Sequence, residues 1–586
     1  MIRIRRFFLV LSLPGFLISS GTKAQPYKQL MDDPSVNIYD VIAAAEEWFK
    51  DKPQGMGTGY KDFQRWRHYH EMMFYPSGDR SAYHPQQNWD AFHAFRDSKG
   101  FDDRSMADSV WTELGPWNAN NITTHYSPGL GRIDAIYVDP LDSNFIYIGA
   151  RNGGFWKTTD EGITWTNTMD QLSKLGVSAI GVSPYSHDTV LARTSTGPFS
   201  SASGIWRSVD AGSTWIATQW NTTFGGGSID IRQIKFSPGG NGAVYAATNQ
   251  GLYRSFDYFQ TWTQLITGNI FDIEFQPGKP SRMYLRSDTW NDSIMISVNS
   301  GVNWTGVYLN AGGNGGELDV TKDDSLYVYF GRTNGVWRST DAGLTWTKMG
   351  NGPGGLYGGF GVLDTDKNRI IHGNIDAHLS TDGGVNFNQV SWWSNPGNSS
   401  AYVHADIREV ISLQGRFYLG TDGYLAKSNN GGTKWTRHSD GCGVREFYRI
   451  GTSPTHAYYI TGGSQDNGTS WLEGKKWFEW LGADGMECAY NRSNPEIFYG
   501  EWQYGGLHLT TTGGNNWPSI KPPGVGNGSW ITPFVMDYNH PYTIYIGFDT
   551  LWKSTNNGSV WSKAGDFAAD LDDLAIAQTD SDILLA

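Results

Sequence analysis

The octapeptide SVDAGSTW at Ser208–Trp215 returns at Ser339–Trp346 as STDAGLTW, and recurrence at even spacing restricts a chain to few architectures. Related octamers begin at Thr158, Ser255, Ser297, Ser380, Ser428, Thr510 and Ser554. Successive first letters lie 50, 47, 42, 42, 41, 48, 82 and 44 residues apart. The step of 82 predicts a hidden copy, and Ser470–Trp477, SWLEGKKW, divides it into 42 and 40. Ser464–Trp471, SQDNGTSW, matches better by letter, but its steps of 36 and 46 fit the period worse, and a turn is expected there. The period is therefore near 42, with ten units. Each unit repeats one plan: RIDAIYVDP, NFIYIGA, GGFWKTTD and TWTNT in the first are four short β-branched and aromatic runs divided by Pro, Gly, Asn and Asp. Four strands per period make a propeller blade, so the expected class is all-β, with one or more β-propellers of four-stranded blades.

The octamers resemble the Asp-box (BNR) repeat, S/T-x-D-x-G-x-x-W. The physical reading is a turn between the third and fourth strands. An Asp carboxylate can accept nearby backbone N–H groups, Gly can take positive φ, and Trp fills the seam against the next unit. Leu472, Asn299 and Asn430 stand where other copies have Asp, so that position holds a turn rather than doing acid chemistry.

Met1–Ala24 carries Arg3, Arg5 and Arg6, then FFLVLSLPGFLISS, and reads as a secretory signal peptide cut before Gln25. Its apolar run is short for a membrane span, and none later is long enough. Removing it takes four basic residues and moves the net charge from −13 to −17. So acidic a chain argues against nucleic acid as a partner. The expected location is secreted or at the cell surface. Cys442 and Cys488 are the two cysteines; a disulfide and two buried thiols both fit, and no metal-ligand spacing is present.

Residues 25–108 lack the repeat and form a helical extension expected to pack on the propeller. VIAAAEEWFK at Val41–Lys50 predicts a helix, and Phe63, Trp66, His70 and Met73 recur at helical spacing before Pro76. These aromatics are read as core. WTELGP at Trp111–Pro116 resembles the last strand of a unit, so the repeats are taken from 109 to 586. Leu571–Ala586 copies the opening two strands of a unit, and a continuing chain is the expectation there.

On the face opposite the octamers, loops from Val403 to Glu501 carry VHADIR, GTDG, GSQDNG, GADG and EWQYGG. This series resembles the HxDxH, GnDGG, QDNG and GGDG pattern of secreted bacterial Asp-box proteins, relatives of sortilin-type propellers and of the tandem-propeller xyloglucan hydrolases. The sequence departs at Arg408, where the pattern has His, and at Tyr424 and Ala483, where it has Gly; losing the His weakens a metal site. Asp406, Asp422, Asp466, Asp484 and Glu501 are expected to converge from three neighbouring units. Glycosidases need paired carboxyl groups, and crowding raises a carboxyl pKa toward that of a general acid. Asp466 and Asp484 are the catalytic candidates. His404, Asp406, Asp422, Gln465, Asn467, Glu501 and Trp502 are the ligand-binding candidates, with Trp392, Trp393 and Tyr504 as sugar-stacking aromatics. Both catalytic candidates are read as surface-loop residues whose change to Asn leaves stability almost unchanged. Xyloglucan hydrolases carry a catalytic Asp before paired glycines in the first such loop; here Arg151-Asn152-Gly153-Gly154 has Asn.

The leading expectation is recognition of an extracellular glycan or protein through this loop face, without cofactor. The alternatives are glycoside hydrolysis with Asp466 or Asp484 as acid, and a structural surface protein. Ten units fit one large ring, or seven blades plus part of a second.

Overall fold

The computed structural model describes residues 25–54, 58–81, 91, 94, 98, 112–123, 128–170, 172, 176–195, 204–224, 229–287, 293–309, 316–355, 358–398 and 400–586. The proposed leader lies outside them. Among the described residues no helix is long and apolar enough to cross a membrane. Contacts divide the chain into two compact units, one up to Ser81 and one from Ala82 onward.

The first unit is helical: α1 (Pro26–Asp32), α2 (Ile38–Phe49) and α3 (Tyr60–Phe74). Asn37 caps α2 by accepting the Tyr39 N–H, so the helix starts three residues before the expected Val41. Phe49, Phe63, Trp66 and His70 are buried, as a core reading requires. Trp66 and His70 stack at 4.2 Å, and burial pushes the His70 imidazole down to about 4.

The second unit is built of antiparallel sheets, each contiguous in sequence. Blades 1 to 7 start at Ile133–Val138, Gly176–Ser183, Ile231–Phe236, Ile270–Phe275, Glu317–Val320, Gly359–Leu363 and Ile407–Leu413. These first strands pack side by side, and that of blade 7 packs back on that of blade 1. Ile133, Ile136, Val138 and Ile148 of blade 1 share one core with Leu413, Tyr418 and Leu425 of blade 7. A Cβ on Gly420 would lie 2.5 Å from the Ile133 carbonyl, so this seam admits only glycine there. Seven blades therefore close a ring without a shared strand. Blades 8, 9 and 10 start at Phe447–Thr452, Gly485–Tyr490 and Phe534–Met536, and Ala575–Ile576 pairs with Leu584–Leu585 after them. They form a second, separate stack. Two groups of blades, rather than one large ring, are what the chain builds.

Burial explains the strand signatures. Ile146–Ala150, Val244–Thr248, Met283–Ser287 and Val328–Arg332 are second strands buried at every residue, because neighbouring blades cover both faces. Their sequences open on apolar runs without alternation, unbroken in Ile146–Ala150 and ending in Thr248, Arg286-Ser287 and Arg332 in the others. Fourth strands such as Thr166–Asn167 lie outermost and are largely exposed.

Each of the nine octamers begins on the last residue of a third strand. In the blade 2 copy, Ser208 Oγ donates to Asp210 Oδ1 at 2.7 Å and accepts the Gly212 N–H at 2.8 Å. Asp210 also accepts the Thr214 N–H at 2.8 Å. Asn299 accepts the Asn303 N–H in the same way, which explains the exchange of Asp for Asn. The residue before the glycine position is left-handed too, as at Ala211 (φ 55°) and Ala342 (φ 60°).

Three expectations are corrected. The octamer Trp packs on the preceding blade, not the next: Trp215 of blade 2 meets Phe155 of blade 1 at 4.9 Å. Ser470–Trp477 does straddle the third-to-fourth turn of blade 8, but a tight hairpin pairing Glu473 with Lys476 replaces the stapled turn. Thr112–Pro116 is not a fourth strand. It leads along the outer edge of blade 8, where Leu114 accepts from the Trp477 indole and Ile122 bridges Glu479 in parallel.

Candidate functional site

Because the ring closes at blade 7, the loops singled out above meet where the ring faces the second stack. Asn467 of blade 8 donates to the Asp422 carbonyl of blade 7 at 3.0 Å. His404 Nε2 lies 3.1 Å from the Asp466 carbonyl. The Asp466 N–H donates to Asp484 Oδ1 at 2.7 Å, and Gln503 Nε2 donates to Asp484 Oδ2 at 2.5 Å. This series joins blades 7, 8 and 9. Asp466 sits at φ 55° and Asp406 at φ 64°, conformations uncommon for side chains with a Cβ.

The predicted residues divide by environment. His404, Asp422, Asn467 and Asp484 are buried, whereas Asp406, Gln465 and Asp466 are half-buried. Asp484 has no exposed surface, so it is not a surface-loop residue. Its burial follows from its task, since both oxygens accept hydrogen bonds that hold the Asp466 loop. Arg408 grips Asp422 with two hydrogen bonds, Nε to Oδ1 at 2.7 Å and Nη2 to Oδ2 at 2.5 Å, and reaches Asp406 at 3.0 Å. The residue that replaces the pattern's His thus neutralises two of the acids.

Glu501 does not join the others. It is fully buried and accepts the Gly505 and Thr532 N–H groups at 3.0 Å and the Glu487 N–H at 3.2 Å. Burial drives its pKa well upward, against the pull of these donors. It fastens blade 9 to blade 10. Trp502 packs at 4.3 Å from the His508 ring and 5.6 Å from Trp517 and belongs to the blade core. Trp392, 43% exposed, is an aromatic open to a ligand; the Trp393 N–H is held by Asp376 at 2.8 Å.

Sequence reasoning missed the linker after blade 7. Arg445 and Glu479 form a buried ion pair, and Arg445 also donates to Ser470 Oγ at 2.9 Å. Val444 packs against Gly131 and Gly153, and Cys442 joins the same core as a free thiol. Cys488 is likewise buried and free. The next residue after Arg445, Glu446, is half-buried. Its carboxylate bonds the Asn152 side chain, and its carbonyl accepts the Gln465 N–H at 2.9 Å. Burial lifts it to about 7, opposed by Asn152, Arg132 and Arg151. The available signal was a charged pair, Arg445-Glu446, between Val444 and the strand that begins at Phe447.

No protein-family model matches the chain. It is 26% identical over 364 residues to a xyloglucanase of Paenibacillus sp, covering 57% of this chain and 34% of that protein. It is 28% identical over 249 residues to a xyloglucanase of Acetivibrio thermocellus, covering 40% of this chain and 27% of that one. The chain spans about a third of the length of the curated relatives it matches. Among solved structures, the GH74 enzyme of Niastella koreensis aligns with a TM-score of 0.57 and 17% identity, covering 77% of this chain and 75% of that one. An ancestral GH74 enzyme aligns at 0.61 and 14%, covering 81% and 75%. These structural likenesses show the fold, an all-β propeller of four-stranded blades.

Proposed function

We propose that the chain is a glycoside hydrolase acting on an extracellular polysaccharide of the xyloglucan class, at the junction between the closed ring and the second stack. Plain glycan recognition is the competing reading. The similarity to xyloglucanases supports hydrolysis over a binding-only role. The observation that carries the site is the fixed placement of Asp466: half-buried, left-handed, and held through its N–H by the buried Asp484. Such pinning pre-organises a proton donor beside a sugar bond. Asp466 is then the general acid and Asp484 the residue that positions it. Trp392 offers an exposed ring for a sugar face. The test is release of reducing ends from xyloglucan and a panel of β-glucans by the purified chain and by D466N. Loss of about 100-fold or more in D466N at unchanged affinity supports the acid role. Binding of the same polymers without new reducing ends in the parent protein would leave glycan recognition as the function.

A further inference from the structure

The carboxylates around the junction are almost all engaged by strong partners. Asp422 and Asp406 are held by Arg408, Asp134 by Arg132 at 2.5 Å, and Glu479 by Arg445. Asp484 and Glu501 are buried under N–H donors. Glu446 differs. Among the described residues it forms no ion pair, its side-chain partner is the neutral amide of Asn152, and it remains half-buried rather than sealed.

Its backbone is fixed from two sides. Val444, two residues before it, packs on Gly153, so the linker lies against the Arg151–Gly154 loop of blade 1. The Gln465 N–H on its carbonyl ties it to the loop that carries Asp466. Glu446 therefore stands between a loop of the closed ring and the Asp466 loop of the second stack, and both hydrogen bonds orient it.

We infer that Glu446 is the general base of the reaction proposed above, paired with Asp466 as acid. The inference rests on that hydrolase reading. The Glu446 carboxylate takes a proton from a water molecule, and the water oxygen bonds the anomeric carbon. The bond from that carbon to the bridging oxygen breaks, its electron pair staying on the oxygen. The Asp466 carboxylic acid supplies that oxygen with a proton. Solvent then returns both carboxyl groups to their starting states. Burial alone would hold Glu446 protonated, and Arg132 and Arg151 counter it, leaving a base poised near neutrality.

The experiment compares the full chain with E446Q, E446A and the double variant N152D/E446Q, on whichever β-glucan the parent protein cleaves. Melting temperature and polysaccharide affinity are measured beside turnover. E446Q is expected to lose roughly 100-fold or more in turnover with affinity kept. Sodium azide, a nucleophile that needs no deprotonation, is expected to restore turnover to E446A and yield a glycosyl azide. N152D/E446Q is expected to regain activity, because it returns a carboxylate to the neighbouring position. Turnover in E446Q within a few-fold of the parent, with D466N inactive, would overturn the base assignment and leave the hydrolase reading standing. No cleavage by the parent protein of any glucan would overturn both.

Discussion

Asp484 and Asp466 sit 18 residues apart and differ in every property that matters to a mutation. Asp484 accepts two N–H donors with no solvent to replace them. In D484N one oxygen becomes an NH₂ group that faces a donor, so a buried hydrogen bond is lost. We expect a cost of about 1–3 kcal/mol, read as a shift of the urea midpoint. D466N replaces the carboxyl group of a half-buried side chain whose backbone N–H, not its carboxyl, is held by Asp484, and stability is expected to stay within about 0.5 kcal/mol. Equal destabilisation of the two would contradict the division into positioning residue and acid. Arg445 and Glu479 form the deepest charged contact at the junction. E479A strands a buried guanidinium, and a loss of about 3–5 kcal/mol is expected by chemical denaturation.

The stapled turn is the recurring element, and its aromatic residue sets its weight. Trp435 is 1% exposed and packs in the core shared by blades 6 and 7. W435A is expected to cost about 3–5 kcal/mol, as emptying a large aromatic site does. Trp215 is half-buried against Phe155, so W215A removes less buried surface and should cost clearly less. Paired unfolding curves give the order, and a smaller loss for Trp435 would mean that burial does not govern these positions. The turn acids answer to local donors: hydrogen bonds from Thr158, then Thr164, hold Asp160 down at about 2. They stay ionised through the physiological range and add no pH dependence there.

At the scale of the whole ring, first strands from different blades bring like charges together. Glu317 of blade 5 and Glu409 of blade 7 both line this inner wall near Asp272 of blade 4. Burial foremost lifts Glu409 to about 8, opposed by Lys235 and reinforced by Asp272, and it drives Glu317 well upward. A carboxyl whose pKa is raised by folding favours the folded state only while protonated. Its contribution is complete below the unfolded value near 4 and is lost as pH rises through the folded value. The melting temperature is therefore expected to fall between about pH 4 and 8. E409Q, which cannot ionise, should flatten that fall, and an unchanged slope in E409Q would assign the dependence elsewhere.

Repetition makes the blade legible in the letters of the chain. The octamer places a turn at the end of each third strand, and unbroken apolar runs such as Ile146–Ala150 mark strands covered on both faces. Those are local consequences of side-chain chemistry and spacing, so they can be read along the chain. The number of blades per ring cannot, because it depends on the angle between neighbouring sheets. Only the meeting of Ile133–Val138 with Ile407–Leu413, 274 residues apart at their first residues, closes the ring at seven. The same holds for the site. Loop spelling brought Asp406, Asp422, Asp466 and Asp484 into view, yet a letter does not say whether a carboxylate meets an arginine, a backbone N–H or water. Arg408 binding Asp422, Glu501 turning inward and Glu446 meeting Asn152 across the linker are decisions of tertiary packing, since each partner comes from another strand, loop or blade.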